Sequence, residues 1–309
     1  MRPATRTSLT LAALLTALMV GGCGLGAGPG TRNASIEVTG NFGSTVYGSA
    51  TERRVPGSET VMSMLQRHFK VSTRYGGGFV QSIDGHAGSS ARRDWFYYVN
   101  GILAPSGAAS TSVNHGDHIW WDLHDWSLTQ SVPAVVGSYP EPFTNGIGGK
   151  QLPTVLDCAT NVRRACNIVA RALRRAGVKV GYQLLGAGSG SQSLALVVGT
   201  WKEIQGVIAA ELVAGGPTKS GIYAQFAGGG GLALFNPAGR VVRTLHGSVG
   251  LVAATEEASI NQPTWLVTGS DVSGVTAAAA ALTPAKLHNH FAVAVQGTRL
   301  LALPLQPGS

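Results

Sequence analysis

Aromatic rings crowd one stretch of this chain. Four of its six tryptophans fall between residues 95 and 126, together with Phe96, Tyr97 and Tyr98. Read as a strand, residues 118–126 alternate. His118, Trp120, Asp122, His124 and Trp126 share one face, and Ile119, Trp121 and Leu123 take the other. The second face is ordinary core. The first sets large rings among polar groups, a combination that stacks on a flat ligand and hydrogen-bonds its edges. Trp95, Tyr97 and Val99 alternate with Phe96, Tyr98 and Asn100 in the same way. The candidate ligand-binding residues are therefore Trp95, Tyr97, Tyr98, Asn100, His118, Trp120, His124 and Trp126. The same residues could equally fill the core of a small domain, and the two readings have equal weight.

Other chemistry finds little support. His115, His118 and His124 suggest a metal, but only His118 and His124 share a strand face, and a straight strand holds those two roughly 20 Å apart. No metal site is expected. Gly186-Ala-Gly188-Ser-Gly190 precedes a strand instead of opening a helix, so it is not a phosphate loop. Residues 215–220 lack the glycine before lysine of a P-loop, and no G-x-S-x-G elbow exists. Carboxylates are too scattered to nominate an acid/base pair. Nothing points to catalysis, and no catalytic residue is named.

The elements that must position the aromatic cluster are short. Residues 36–40 and 44–47 alternate as strands, and a helical pattern begins at Ser58-Glu59-Thr60, with Val61, Met64, Leu65 and Phe69 on one face. Strands are predicted at 79–83, 95–99 and 118–124. One helix among short strands reads as a small α+β domain over 36–126. Residues 127–153 hold Pro133, Pro140, Pro142 and Pro153 with almost no charge, as expected of a linker or an ordered crossing loop.

A second, α/β domain is expected over 154–309. Residues 161–176 form an amphipathic helix with Arg163, Arg164, Arg171, Arg174 and Arg175 on one face, stopping at Gly177. That stripe reads as a solvated face or as a contact for anionic lipid headgroups. Further on, strand 194–200, a helix to about Val213 and strands 221–226 and 232–235 are echoed by strand 264–270, helix 271–282 and strands 291–295 and 300–305. Two βαββ-type repeats are the expectation. Beyond Cys23 the chain has only Cys158 and Cys166, and an even pair in an exported protein suggests a disulfide. On one continuous helix these two would stand about 12 Å apart, so the helix must begin after Cys158.

The N-terminus explains why export is expected. Arg2 and Arg6 precede an apolar run from Leu11 to Val20, too short to span a bilayer and laid out as a signal peptide over residues 1–22. Val20-Gly21-Gly22-Cys23 resembles the bacterial lipobox. The resemblance implies that Cys23 is lipidated and becomes the new N-terminus, holding the protein on the outer face of the cell membrane. Residues 23–35 are expected to be a Gly-rich flexible tether. The formal net charge is +8. Residues 36–126 carry seven Lys/Arg against eight Asp/Glu, whereas 150–309 carry thirteen against six. Anionic lipids or wall polymers account for that excess, and no nucleic-acid partner is required.

Three segments together resemble a known family. Glu59-Thr-Val-Met-Ser-Met-Leu65, Asp94-Trp-Phe-Tyr-Tyr-Val-Asn-Gly101 and Val113-Asn-His-Gly-Asp-His-Ile-Trp120 are similar to the domain-of-unknown-function 4430 family. That family in turn resembles the C-terminal domain of transcobalamin and intrinsic factor. The resemblance covers roughly residues 36–126. It implies a β-grasp-like fold and, by analogy with the vitamin carriers, cobalamin or a related corrinoid as ligand. The expected function is a membrane-anchored extracytoplasmic lipoprotein that binds a small flat or hydrophobic ligand for an uptake transporter. The alternative is a surface module that binds a protein partner or cell-wall glycan.

Overall fold

The computed structural model describes residues 31–306 apart from 90, 91, 258, 259 and 261. The signal segment and Cys23 lie outside the described residues. The molecule is α+β, with helices set among several sheets.

β1 (Thr31–Gly40) and β2 (Thr45–Val55) pair antiparallel. β1 starts inside the range expected to be tether. The helix α1 (Val61–His68) follows, and its start is fixed by a capping box. Thr60 Oγ1 accepts from the Ser63 N–H, and Ser63 Oγ accepts from the Thr60 N–H. α1 buries Val61, Met62, Met64 and Leu65. A small antiparallel sheet comes next: β3 (Val71–Arg74), β4 (Phe79–Ile83) and β5 (His86–Ala87). β6 (Arg93–Val99) turns through Asn100-Gly101 into β7 (Ile102–Leu103). Both turn residues have positive φ, 55° and 78°, as a two-residue type I′ hairpin requires. β8 (His118–Asp125) then slots between β1 and β6, parallel to the first and antiparallel to the second. The sheet order is β2-β1-β8-β6-β7.

Residues 127–153 contain no named helix or strand, yet Val132, Val135, Val136, Tyr139 and Phe143 are buried. This is an ordered crossing loop. The Val135 N–H donates to Gly101 O, and the Val136 N–H donates to Phe291 O, so the loop ties the two halves together.

The second half opens with β9 (Thr154–Cys158), α2 (Arg163–Arg175) and β10 (Val180–Gln183). Cys158 and Cys166 are joined by a disulfide, with Cα atoms 6.1 Å apart. A 3-10 turn at Thr160–Val162 brings the second cysteine round, which one straight helix would not. β11 (Leu194–Thr200) leads through α3 (Trp201–Ile204), α4 (Ile208–Ala214) and α5 (Pro217–Ser220) to β12 (Ala224–Phe226), β13 (Leu232–Phe235) and β14 (Val241–Leu245). β15 (Val249–Glu256) and β16 (Pro263–Gly269) precede α6 (Val272–Ala281), α7 (Pro284–Leu287), β17 (Ala292–Gln296) and β18 (Arg299–Leu303). Seven strands form one sheet in the order β10-β9-β11-β16-β15-β17-β18, and β12, β13 and β14 form another. β11 and β16 are parallel neighbours, each followed by helix. The hairpins after those helices differ. β17 and β18 extend the large sheet, whereas β12 and β13 leave it and pair with β14.

α2 and α6 cover one face of the large sheet, over Leu156, Leu196, Val198 and Val267. The other face joins the three-stranded sheet and the first domain in a single core that includes Phe42, Tyr98, Trp120, Leu234, Leu251 and Phe291.

Candidate functional site

The strand pair β6–β8 has two faces, and the aromatic residues divide between them. Tyr98, Trp120 and His124 point to the second half of the molecule. The Phe291 ring lies 5.5 Å from Tyr98, 5.2 Å from Trp120 and 5.3 Å from His124. Phe42 is wedged between His124 (4.6 Å) and Tyr223 (5.3 Å). Trp120 is fully buried. A Cβ built on Gly137 would come within 2.7 Å of Trp120 and 2.8 Å of the His290 nitrogen, which shows how closely the crossing loop approaches. Most polar groups on this face satisfy one another, although the Tyr98 and Tyr223 hydroxyls have no hydrogen-bond partner among the described residues. Trp120 Nε1 donates to Thr39 Oγ1 at 2.7 Å, and Thr39 donates to Asp122 Oδ2 at 2.5 Å. Asp122 also accepts from the backbone N–H groups of Phe42 and Gly43 and pairs with His124 Nδ1 at 2.9 Å.

This corrects the expectation that Trp120, His124 and Tyr98 form a ligand-stacking face. They form an internal seam, because Phe42, Tyr223 and Phe291 cover the rings that alternation alone leaves open. Burial, with Asp122 and Tyr223 nearby, holds the Tyr98 phenol well above its ordinary range, so it is neutral. Asn100 is likewise a structural residue. Its Nδ2 donates to Asp117 Oδ1 and Gly146 O, both at 2.9 Å, and its Oδ1 accepts from the His118 N–H. Asp117 Oδ2 in turn accepts from the Asn114 N–H at 2.7 Å. The Asn100-Gly101 and Gly116-Asp117 turns are thus one brace between β6 and β8. Trp126 is half-buried just past β8, with its backbone N–H bonded to Arg92 O and its indole N–H without a partner among the described residues.

Trp95 and Tyr97 lie on the opposite face with Trp121, above α1. Tyr97 stacks on Trp121 at 4.8 Å and donates from its hydroxyl to Ser106 O at 2.5 Å. Burial raises the Tyr97 phenol, only partly offset by its bond to Thr111. Beside these rings is a cavity of about 240 Å³ lined by Met62, Phe79, Trp95, Tyr97, Ala108 and Trp121 among others. Its rim bears Phe79 (40% exposed), and Tyr75 (87% exposed) meets that ring edge-on at 6.4 Å. The Trp121 indole N–H has no hydrogen-bond partner among the described residues. A buried donor without a partner costs about 1–3 kcal/mol. Phe79, Gly107 and Ala108 went unnoticed in the sequence because they come from the small sheet and a loop.

His118 belongs to a third place. Its Nδ1 is 2.8 Å from Ser138 Oγ, and its Nε2 faces Glu37 Oε2 at 3.8 Å. Glu37 is buried, yet it accepts from Asn289 Nδ2 at 2.6 Å and meets His288 Nε2 at 3.2 Å. Burial pushes the Glu37 carboxyl up, but the His118 ring, the Asn289 amide and the His288 charge together bring it below its ordinary value. These groups border an open groove of about 430 Å³ between the halves. His118 and His124 sit near opposite ends of β8 in unrelated surroundings.

No curated protein matches the chain. A crystal structure of a Ruminococcus gnavus protein, provisionally described as metal binding, is similar to 30% of this chain and 97% of its own, at 14% identity and a TM-score of 0.24. Residues 58–125, which carry α1, the cavity lining and β8, match the model of the DUF4430 family, a domain of unknown function.

Proposed function

We propose that this protein is an exported, lipid-anchored binding protein that takes a small hydrophobic or flat group into the cavity beside Trp95, Tyr97 and Trp121. The cavity carries the reading. Its walls are mostly rings and aliphatic side chains. At about 240 Å³ it is smaller than the ~300–1,000 Å³ of drug-sized sites, so it suits one ring or branch of a ligand. A corrinoid would insert a peripheral group there and lie across Tyr75 and Phe79.

Several features support the rest of the reading. The order β2-β1-β8-β6-β7, with a parallel central pair and one covering helix, fits a β-grasp-like domain. β11 and β16 with their helices fit two related units whose hairpins have diverged. The disulfide fits an oxidising compartment outside the cytoplasm. Among the described residues no helix is long and apolar enough to cross a membrane; the assignment of attachment to lipid on Cys23 rests on the lipobox resemblance of residues 20–23. Delivery to an uptake transporter is the proposed role. No reaction is assigned to the chain. The exposed Tyr75–Phe79 pair also favours a second reading, in which a protein or wall-glycan partner seats an apolar group in the same cavity.

The test is a tryptophan-fluorescence titration of the chain from Gly24 with cobinamide, cobalamin and haem, corrected for inner-filter absorption. Saturable quenching that disappears in Gly107→Phe supports the reading, because Gly107 lines the cavity and has no atom closer than 3.9 Å to its added Cβ. Quenching that survives the plug places the ligand elsewhere. No response to any of the three rules out these ligands and moves the weight to the partner-binding reading. Loss of palmitate labelling in Cys23→Ser tests the anchor separately.

A further inference from the structure

We infer that the outer face of α2, with the adjoining edge strand β10, is a docking surface for an anionic phospholipid bilayer. Arg163, Arg164, Arg171, Arg174 and Arg175 are all exposed, and Lys179 follows in the turn. α2 contains no acidic residue, and none of these six cations has a carboxylate partner among the described residues. The arrangement works against the helix itself. Two arginines in the first turn oppose the helix dipole, and Arg171 with Arg175 is a like-charge pair at the repelling spacing. Arg174 and Arg175 in the last turn do complement the dipole, but no carboxylate answers the stripe, so the pattern fits a negative surface supplied from outside.

A second observation points to a lipid surface over a soluble anion. β10 is the edge of the large sheet and neighbours α2. Val180 packs into the core beneath α2, so alternation puts Tyr182 on that same side of the sheet. Tyr182 is 60% exposed, and the residues after it, Leu184 and Leu185, are 87% and 37% exposed. Basic residues flanked by exposed tyrosine and leucine are the composition of interfacial membrane contacts, where cations meet headgroups and apolar groups enter the acyl boundary. From Cys23 to Thr31 an extended chain spans up to about 27 Å, a tether that would keep an anchored molecule close to its own membrane. In that respect the inference rests on the lipoprotein reading, but the surface can be tested without the lipid.

The experiment is co-sedimentation of the chain from Gly24, which retains every described element, with vesicles of phosphatidylglycerol mixed equally with phosphatidylcholine. We expect binding that weakens steeply with salt and is absent from pure phosphatidylcholine vesicles. The combined variant R171Q, R174Q and R175Q should bind about 100-fold more weakly. Leu184→Asp should cost about tenfold. R53Q with R54Q, an equally exposed basic pair elsewhere, should bind like the parent. Circular dichroism confirms that each variant is folded. Absence of phosphatidylglycerol binding, equal loss in the Arg53/Arg54 control, or tighter binding to a soluble wall polyphosphate than to vesicles would overturn the inference. None of these outcomes bears on whether Cys23 is lipidated.

Discussion

The two faces of the β6–β8 strand pair carry similar residues and do opposite things. On the face toward the second half, Trp120, Tyr98 and His124 are sealed by Phe42, Tyr223 and Phe291, and the Trp120 indole N–H is spent on Thr39. On the other face, Trp95, Tyr97 and Trp121 border a cavity. An aromatic cluster therefore becomes a core or a site according to what covers it, not according to its composition. The polar pattern follows the same division. Asp122 is saturated by backbone and side-chain donors within the seam, whereas Glu37, farther along the interface, borders an open groove with His288 60% exposed.

Four changes test that contrast. Trp120→Ala should have the largest effect, lowering the free energy of unfolding by about 3–5 kcal/mol, because it empties a packed seam shared by both halves. Denaturant unfolding followed by far-ultraviolet circular dichroism measures it, and a loss below about 1 kcal/mol would mean that the seam is loosely held. Thr39→Val removes both the acceptor for Trp120 and the donor to Asp122. It should cost about 1–3 kcal/mol with little change in ligand response.

Glu37→Gln should cost about 1–2 kcal/mol at neutral pH. Because the folded Glu37 carboxyl lies below its ordinary value, its contribution is present above the ordinary carboxylate range and is lost as pH falls through the depressed value. Parent and variant stabilities should converge on the acid side. Glu141 and Asp117 have opposite sign, since burial raises both and their protonation favours the fold. Only the difference between parent and variant isolates Glu37. A constant difference across the acid range would contradict the assignment. Gly107→Phe should have the smallest effect on stability, within about 0.5 kcal/mol, while abolishing fluorescence quenching. That separation of binding from stability is what distinguishes the cavity face from the seam.

Most local structure is legible in the sequence. α1 announces itself through Thr60 and its apolar face, β6 and β8 through alternation, and α2 through its arginine stripe. Strands without alternation are legible only in part. The apolar runs of β11 and β16 stand out, whereas β15, buried on both sides inside the large sheet, shows no period to read. β9 is five residues long and is hidden beside the stronger helical signal that follows it. The two faces of β8 were separable, but not their fates. The rings that seal Trp120 come from residues 42, 223 and 291, and the cavity walls from residues 62, 79 and 108. No local pattern records partners that far apart. Asn100 shows the same limit at closer range, where a residue of binding type is used up bracing Asp117 and Gly146.

The most direct test is a two-dimensional proton–nitrogen spectrum of the six tryptophan indoles, recorded during titration with cobinamide. The account predicts that the Trp121 and Trp95 resonances move with the ligand and that the Trp120 resonance stays fixed. Movement of Trp120, with Trp121 and Trp95 unchanged, would mean that the seam opens to bind and that the cavity is not the site.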